Sequence, residues 1–347
     1  MVPPRVVRRI VLAPLAVVIA IGLVVLFPLL AVTFGAVGLV RRKPLRSFRL
    51  LCFAVIWLLA ETIALFMCLG LWIASGFGGR LRSARFQRWH YAVMRWFLDV
   101  LYRSAERIFG LRVSVTEPVL DEAEAAARLT RPVIVLSRHA GPGDSFLLVH
   151  HLLSVYDRHP RVVMKAAIQL DPGIDVVGNR LPNVFVQHRL AGEGLFSEQI
   201  ARLAADLDST GALVIFPEGG NWTPGRWRRG ITRLERAGRT DLAARAREMP
   251  HLLPPRAGGT LAAIAACPSA DVVFVAHAGL DKLVSVRDVW RNLAVGHAIE
   301  ARWWRVPVDA VPRDADHEAQ VQWLYEWWER IDAWIGDHSP REVHDRG

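Results

Sequence analysis

Residues Ile10 to Val40 form a run of 31 positions without one charged side chain, and roughly 20 such residues suffice for a helix to cross the apolar core of a bilayer. A cleavable secretion signal has a shorter apolar stretch, so the run is expected to persist as a membrane segment. A second run, Leu50 to Phe77, is interrupted only by Glu61. A carboxylate at that depth needs a partner or a polar pocket. Residues 1–80 are therefore expected to be a membrane anchor with two apolar segments, 10–40 and 50–77.

The flanks of both runs are basic. Arg5, Arg8 and Arg9 precede the first; Arg41, Arg42, Lys43, Arg46 and Arg49 lie between the two; Arg80, Arg82, Arg85 and Arg88 follow the second. Basic flanks favour the cytoplasmic side. Two topologies satisfy this in different degree. In one, each run re-enters, with Pro28 and the Gly70 region as breaks; in the other, a two-span hairpin leaves residues 41–49 outside. Both put the rest of the chain on the cytoplasmic face, at the cell inner or plasma membrane.

The whole chain carries a net charge of +10, which on its own would suggest nucleic acid. Residues 1–110, however, hold 15 Lys and Arg against 3 Asp and Glu, a balance of +12, so the remaining 237 residues sum to −2. The charge thus belongs with the apolar runs, where it suits anionic lipid, and no nucleic-acid partner is expected. Cys52, Cys68 and Cys267 match neither a disulfide framework nor a metal-ligand spacing. His150 and His151 lack a carboxylate or thiol at ligand spacing. No metal site is expected.

Over residues 81–110, Phe86, Trp89, Val93, Trp96, Phe97, Val100, Leu101 and Ile108 recur at helical spacing among arginines. This predicts an amphipathic helix, either interfacial or packed on a core. Beyond Val113, short β-branched runs at 132–137, 161–164, 183–187, 211–216 and 271–276 alternate with helical patterns near 144–155, 194–208, 227–248 and 258–267. Such alternation predicts an α/β fold, a mixed, mostly parallel sheet flanked by helices. A Trp-rich segment, 291–347, closes the chain, with a helix expected at 317–335.

The candidate chemistry lies where strands end, since α/β sheets expose reactive groups there. His139 follows the apolar run 132–137 and opens a loop, Gly141-Pro142-Gly143, that leads to Asp144. A carboxylate that fixes one nitrogen of an imidazole leaves the other to accept a proton from a substrate hydroxyl. Asp144 is also placed to cap the next helix. A second run, 211–216, enters Pro217-Glu218-Gly219-Gly220, a turn of the kind that lets backbone N–H groups approach a phosphate, with Arg226, Arg228 and Arg229 just beyond. Lys165 and Arg189 end two further strands of the same edge.

Together these segments resemble the glycerolipid acyltransferase family that includes the 1-acylglycerol-3-phosphate acyltransferases. Arg138-His139 to Asp144 is similar to the family's N-H-x4-D motif, and Gln187-His188-Arg189 to its second motif. Phe216-Pro217-Glu218-Gly219-Gly220-Asn221 is similar to F-P-E-G-T-R. Leu253-Pro254-Pro255-Arg256-Ala257-Gly258-Gly259 looks like the fourth motif, in the form of the eukaryotic-type branch, which also has a tail similar to Arg302-Trp303-Trp304 through Trp327. Three positions depart from the family: Arg138 for Asn, Gln187-His188 for a hydrophobic-Asp pair, and Gly220-Asn221 for Thr-Arg.

The resemblance implies a glycerol-3-phosphate acyltransferase-like fold, an acyltransferase domain over 111–290, and transfer of an acyl chain from acyl-CoA or acyl carrier protein, as co-substrate with no other cofactor, to a lysophospholipid hydroxyl. The acceptor implied first is 1-acyl-sn-glycerol-3-phosphate, the reaction making phosphatidic acid. His139 would be the general base and Asp144 its orienting partner. Lys165, Arg189, Phe216, Pro217, Glu218, Gly219, Pro255 and Arg256 would bind substrate, with Glu218 and Arg189 at the acceptor's phosphate and Arg226 or Arg228 replacing the missing motif arginine. Two other readings stay open: action on another lysophospholipid, including by CoA-independent transacylation, and a non-catalytic membrane tether that binds anionic lipid.

Overall fold

The computed structural model describes residues 2–40, 46–186, 193–280, 296 and 298–338. Seven strands form one sheet: β1 (Arg112–Thr116), β2 (Val133–Ser137), β3 (His159–Lys165), β4 (Val184–Val186), β5 (Gly211–Ile215), β6 (Asp271–Ala278) and β7 (Ala298–Val306). Their order is β1-β7-β6-β2-β5-β3-β4. Every neighbouring pair is parallel except β6 with β7. The expected mixed, mostly parallel α/β sheet is what the chain forms.

Because side chains alternate across a strand, β2 sends Ile134 and Leu136 to one face and Val133, Val135 and Ser137 to the other. The first face is the larger core. There Leu213, Ile215, Val272, Phe274 and Ala276 pack under the helices Glu193–Ala205, Ala257–Ala266 and His317–His338. On the second face, Val133, Val135, Ala212 and Val214 lie under the helix Pro142–Ser154 through Leu148, Val149 and Leu152. The expected tail helix therefore caps the sheet: Trp327 stacks on Phe274 with ring centroids 4.5 Å apart.

Two features differ from the sequence expectation. The helical pattern at 227–248 is two helices, Pro224–Arg236 and Thr240–Arg247, because Gly238 takes φ +74°, a conformation that ends a helix at little cost only in glycine. A helix at Glu122–Thr130, closed by a reciprocal Asp121–Glu124 capping box, and another at Pro172–Gly178 join the elements expected.

The apolar runs form continuous helices, Ala13–Val40, entered from Arg5 through one π turn, and Arg46–Ala74. Pro28 lies inside the first, and the second runs through Gly70, so neither residue is a break. Both helices are long and apolar enough to cross a membrane. The amphipathic pattern is the helix Ala84–Phe109, and much of its apolar face meets protein. Phe97 stands edge-on to Trp57, and Phe109 to Phe53, while Tyr91 and Leu98 pack with Leu153 and Leu181 of the sheet domain. Glu61, 4% exposed, finds the partner its depth requires, since the Gly173 N–H donates to its Oε1 at 3.0 Å. Arg8 reaches Asp175 at 2.6 Å.

Candidate functional site

Parallel neighbours bring the C-terminal ends of β2 and β5 to one edge, and the loops that follow them meet. At the end of β2, His139 Nδ1 lies 3.1 Å from each carboxylate oxygen of Asp144. Asp144 is 3% exposed. It is held by its own helix start: the Ala140 and Gly141 N–H groups donate to Oδ2 at 2.6 and 3.0 Å, and the Ser145 hydroxyl donates to Oδ1 at 3.1 Å. Capping the helix and orienting the imidazole are thus one side chain's work. Burial alone would raise the Asp144 carboxyl, but the hydrogen-bonded His139 and the nearby His277 imidazole hold it well below the usual carboxylate range. Among the described residues, His139 Nε2 makes no hydrogen bond.

The loop after β5 runs alongside. The Phe216 ring sits 4.6 Å from the His139 ring, and the Trp222 N–H donates to the His139 carbonyl at 3.0 Å. Gly219 takes φ +67°, closing the turn with its N–H on the Phe216 carbonyl at 3.0 Å. Pro217 and Pro255 are buried, and the Arg256 N–H donates to the Pro217 carbonyl at 2.9 Å, stitching the third motif to the fourth.

Glu218 departs from its expected place at a phosphate. It is 4% exposed, and its two oxygens accept from backbone N–H groups of His139, at 2.7 Å, and Leu253, at 2.8 Å. A carboxyl so committed braces the loop that carries His139 and has neither oxygen left to turn toward a phosphate. Burial pushes its carboxyl up to about 8, against the Arg138 charge and those two N–H groups. Arg138, 1% exposed, stands where the family has Asn and turns into the interior, donating to the His277 carbonyl at 2.6 Å.

Three cations gather at the Gly219-Gly220 turn. A Cβ at Gly220 would meet Lys165 Nζ at 3.5 Å and Arg226 at 3.6 Å, and one at Gly219 would meet Arg256 at 3.1 Å. The absence of a side chain at both positions therefore leaves room for the cations to converge. Burial, then the charges of Arg226 and Arg256, lower the Lys165 ammonium. Arg226 Nη1 donates to the Asn221 carbonyl at 3.0 Å. Arg189, with Gln187 and His188, lies outside the described residues.

Behind Asp144 opens an apolar groove, with about 920 Å³ of empty space including its mouth. It runs along the second sheet face over Val133, Val135, Val273 and Val275, under Leu147 and Leu148, and ends near Trp303. The apolar runs 132–137 and 271–276 predicted strands, but not that a groove remains between these positions and the helix above. His277, deep on β6, was missed as well; a polar residue at the third place of the alternating series Val273, Val275, His277 was its signal.

Among the described residues, no group of three or more His, Cys, Asp or Glu is arranged to hold a metal ion. No curated protein and no solved structure matches the chain. A family model described as acyltransferase does, over residues 116–293, from the end of β1 past β6 and so across both loops that meet at His139. The chain belongs to the acyltransferase family.

Proposed function

We propose that the protein transfers an acyl chain from an acyl thioester, acyl-CoA or acyl carrier protein, to the free hydroxyl of a lysophospholipid, with 1-acyl-sn-glycerol-3-phosphate the first candidate acceptor. The observation that carries this is the His139–Asp144 pair, buried on the Asp144 side and open at Nε2, set beside a cation cluster and an apolar groove. His139 Nε2 takes the acceptor's proton as its oxygen attacks the thioester carbonyl carbon. The tetrahedral adduct collapses with loss of the C–S bond, and the departing thiolate takes that proton from His139. Such base catalysis is worth roughly a hundred- to ten-thousand-fold, and holding thioester and hydroxyl in line supplies more. Lys165, Arg226 and Arg256, gathered at the Gly219-Gly220 turn, bind the acceptor's phosphate. The groove takes an acyl chain, each buried methylene contributing about 0.8 kcal/mol.

The same reading places the enzyme on the cytoplasmic face of a membrane with its apolar hairpin along the bilayer surface. Phe53, Trp57, Glu61 and Cys68 of the second helix touch Phe109, Phe146, Gly173 and Arg180 in turn. That contact extends over 15 residues, about 23 Å at 1.5 Å each, which leaves no length of this helix free to cross alone. Lipid then meets the exposed Val18, Ile21, Val25, Leu29 and Val32 of the first helix, and all three basic flanks stay on one side. In intact cells, a membrane-impermeant maleimide should leave Arg42→Cys unlabelled. Labelling from outside would mean that the hairpin spans.

The activity is tested with purified full-length protein in mixed micelles, labelled acyl-CoA and a panel of lysolipids, for wild type and His139→Ala. Transfer to lysophosphatidic acid that is lost in His139→Ala is the expected result. Preference for another lysolipid would redirect the acceptor; activity that survives the substitution would overturn the mechanism. No transfer to any acceptor, with acyl carrier protein or a diacyl phospholipid as donor too, would favour a non-catalytic tether.

A further inference from the structure

Asp144 has a second histidine beside it. Strand β6 presents Val273, Val275 and His277 to the groove, next to Val133, Val135 and Ser137 of β2. The valines suit an apolar wall; the imidazole does not. His277 is 5% exposed, its Nε2 lies 3.6 Å from Asp144 Oδ2, and neither ring nitrogen has a hydrogen-bond partner among the described residues. A buried polar group without a partner is costly, and a native fold that keeps one usually uses it. The Asp144 carboxylate is the anion against the ring. Arg138 is bound to the His277 carbonyl, and His151 and Arg302 line the same groove.

We infer that His277 is a positioning residue for Asp144. A shift of a few tenths of an ångström brings Nε2 within hydrogen-bond reach of Oδ2, so that the carboxylate is gripped by imidazoles from two sides. His277 then keeps Asp144 aligned on His139 Nδ1 while His139 gains and loses its proton, and holds His139 in the tautomer whose Nε2 lone pair meets the acceptor hydroxyl. It also gives the carboxylate a polar neighbour at the end of the groove where an acyl chain would otherwise abut it. The inference rests on His139 and Asp144 being the catalytic pair.

Three variants of the full chain separate the possibilities. His277→Leu fills an apolar wall with an apolar side chain, so a merely structural role predicts unchanged kcat or a loss that follows the thermal midpoint. A positioning role predicts that kcat falls by about ten- to a hundred-fold while KM for the acyl donor and the thermal midpoint hold. His277→Gln, which keeps a neutral N–H donor, should recover most of kcat. Independently of turnover, nitrogen NMR of labelled imidazoles should find His139 in one tautomer in wild type and His277→Gln, and in a mixture in His277→Leu. Wild-type kcat, or one tautomer, in His277→Leu overturns the inference while His139→Ala remains inactive. An active His139→Ala instead overturns the catalytic pair, and this inference with it.

Discussion

The loops after β2 and β5 look alike in sequence, each an apolar strand running into glycine and proline with one carboxylate, yet they use that carboxylate in opposite ways. Asp144 faces an imidazole, and its neighbours keep it ionised. Glu218 faces backbone, and its burial favours the proton. A carboxylate's role therefore follows from what it touches: both accept from two backbone N–H groups, but Asp144 also holds an imidazole, which makes it part of the chemistry, whereas Glu218 is only a brace. The difference could not be read from spacing, because both residues sit a few positions past a strand end.

The largest test of this contrast is catalytic. Asp144→Asn, which keeps one acceptor oxygen for the Ala140 and Gly141 N–H groups, should lower kcat by roughly a hundred- to ten-thousand-fold in the acyl-transfer assay, at a stability cost of about 1 kcal/mol. Equal loss of activity and fold would dissolve the distinction. Glu218→Ala should do the reverse first. It leaves two buried N–H groups without an acceptor, at roughly 1 to 3 kcal/mol each, and lowers the thermal midpoint in detergent before the chemistry of the folded fraction suffers.

The smallest effect is on pH dependence. With its folded value raised to about 8, Glu218 holds a proton in the native state over a range in which the unfolded chain has released it. Its contribution is fully present below the ordinary glutamate range and is lost as pH rises through about 8. Denaturation midpoints of wild type should fall across that window more steeply than those of Glu218→Gln. An identical slope in the two proteins would show that Glu218 is ionised throughout.

Much of the fold was legible because short, β-branched apolar runs between turn residues mark buried strands: β2, β5 and β6 begin within a residue of where the runs from Pro132, Gly211 and Asp271 led one to expect. The Pro172–Gly178 helix was not, because seven residues are too few for a helical repeat to stand out. The His139 and Asp144 pairing was readable in outline from a strand end, a tight loop and a helix start. What Glu218, Arg138 and His277 do was not, since each acts through a partner tens of residues away in sequence. The convergence of Lys165, Arg226 and Arg256 depends likewise on three separate elements, the end of β3 and the starts of two helices. Arg226, one of the two residues expected to replace the missing motif arginine, lies at the Gly220 turn.

Strand β7 has a consequence for how the molecule is made. Among the described strands it is the last in sequence, yet it lies between the first strand and β6, and it is the strand against which β1 pairs. A nascent chain that has emerged only as far as β6 can join five strands and must leave β1 waiting without a neighbour. Completion of the sheet is therefore a late event on the ribosome, closed by a contact of very long sequence separation, which is slow to form. Cutting the gene at residue 293, where the family match ends, would remove β7 and the capping helix together and leave that wait permanent.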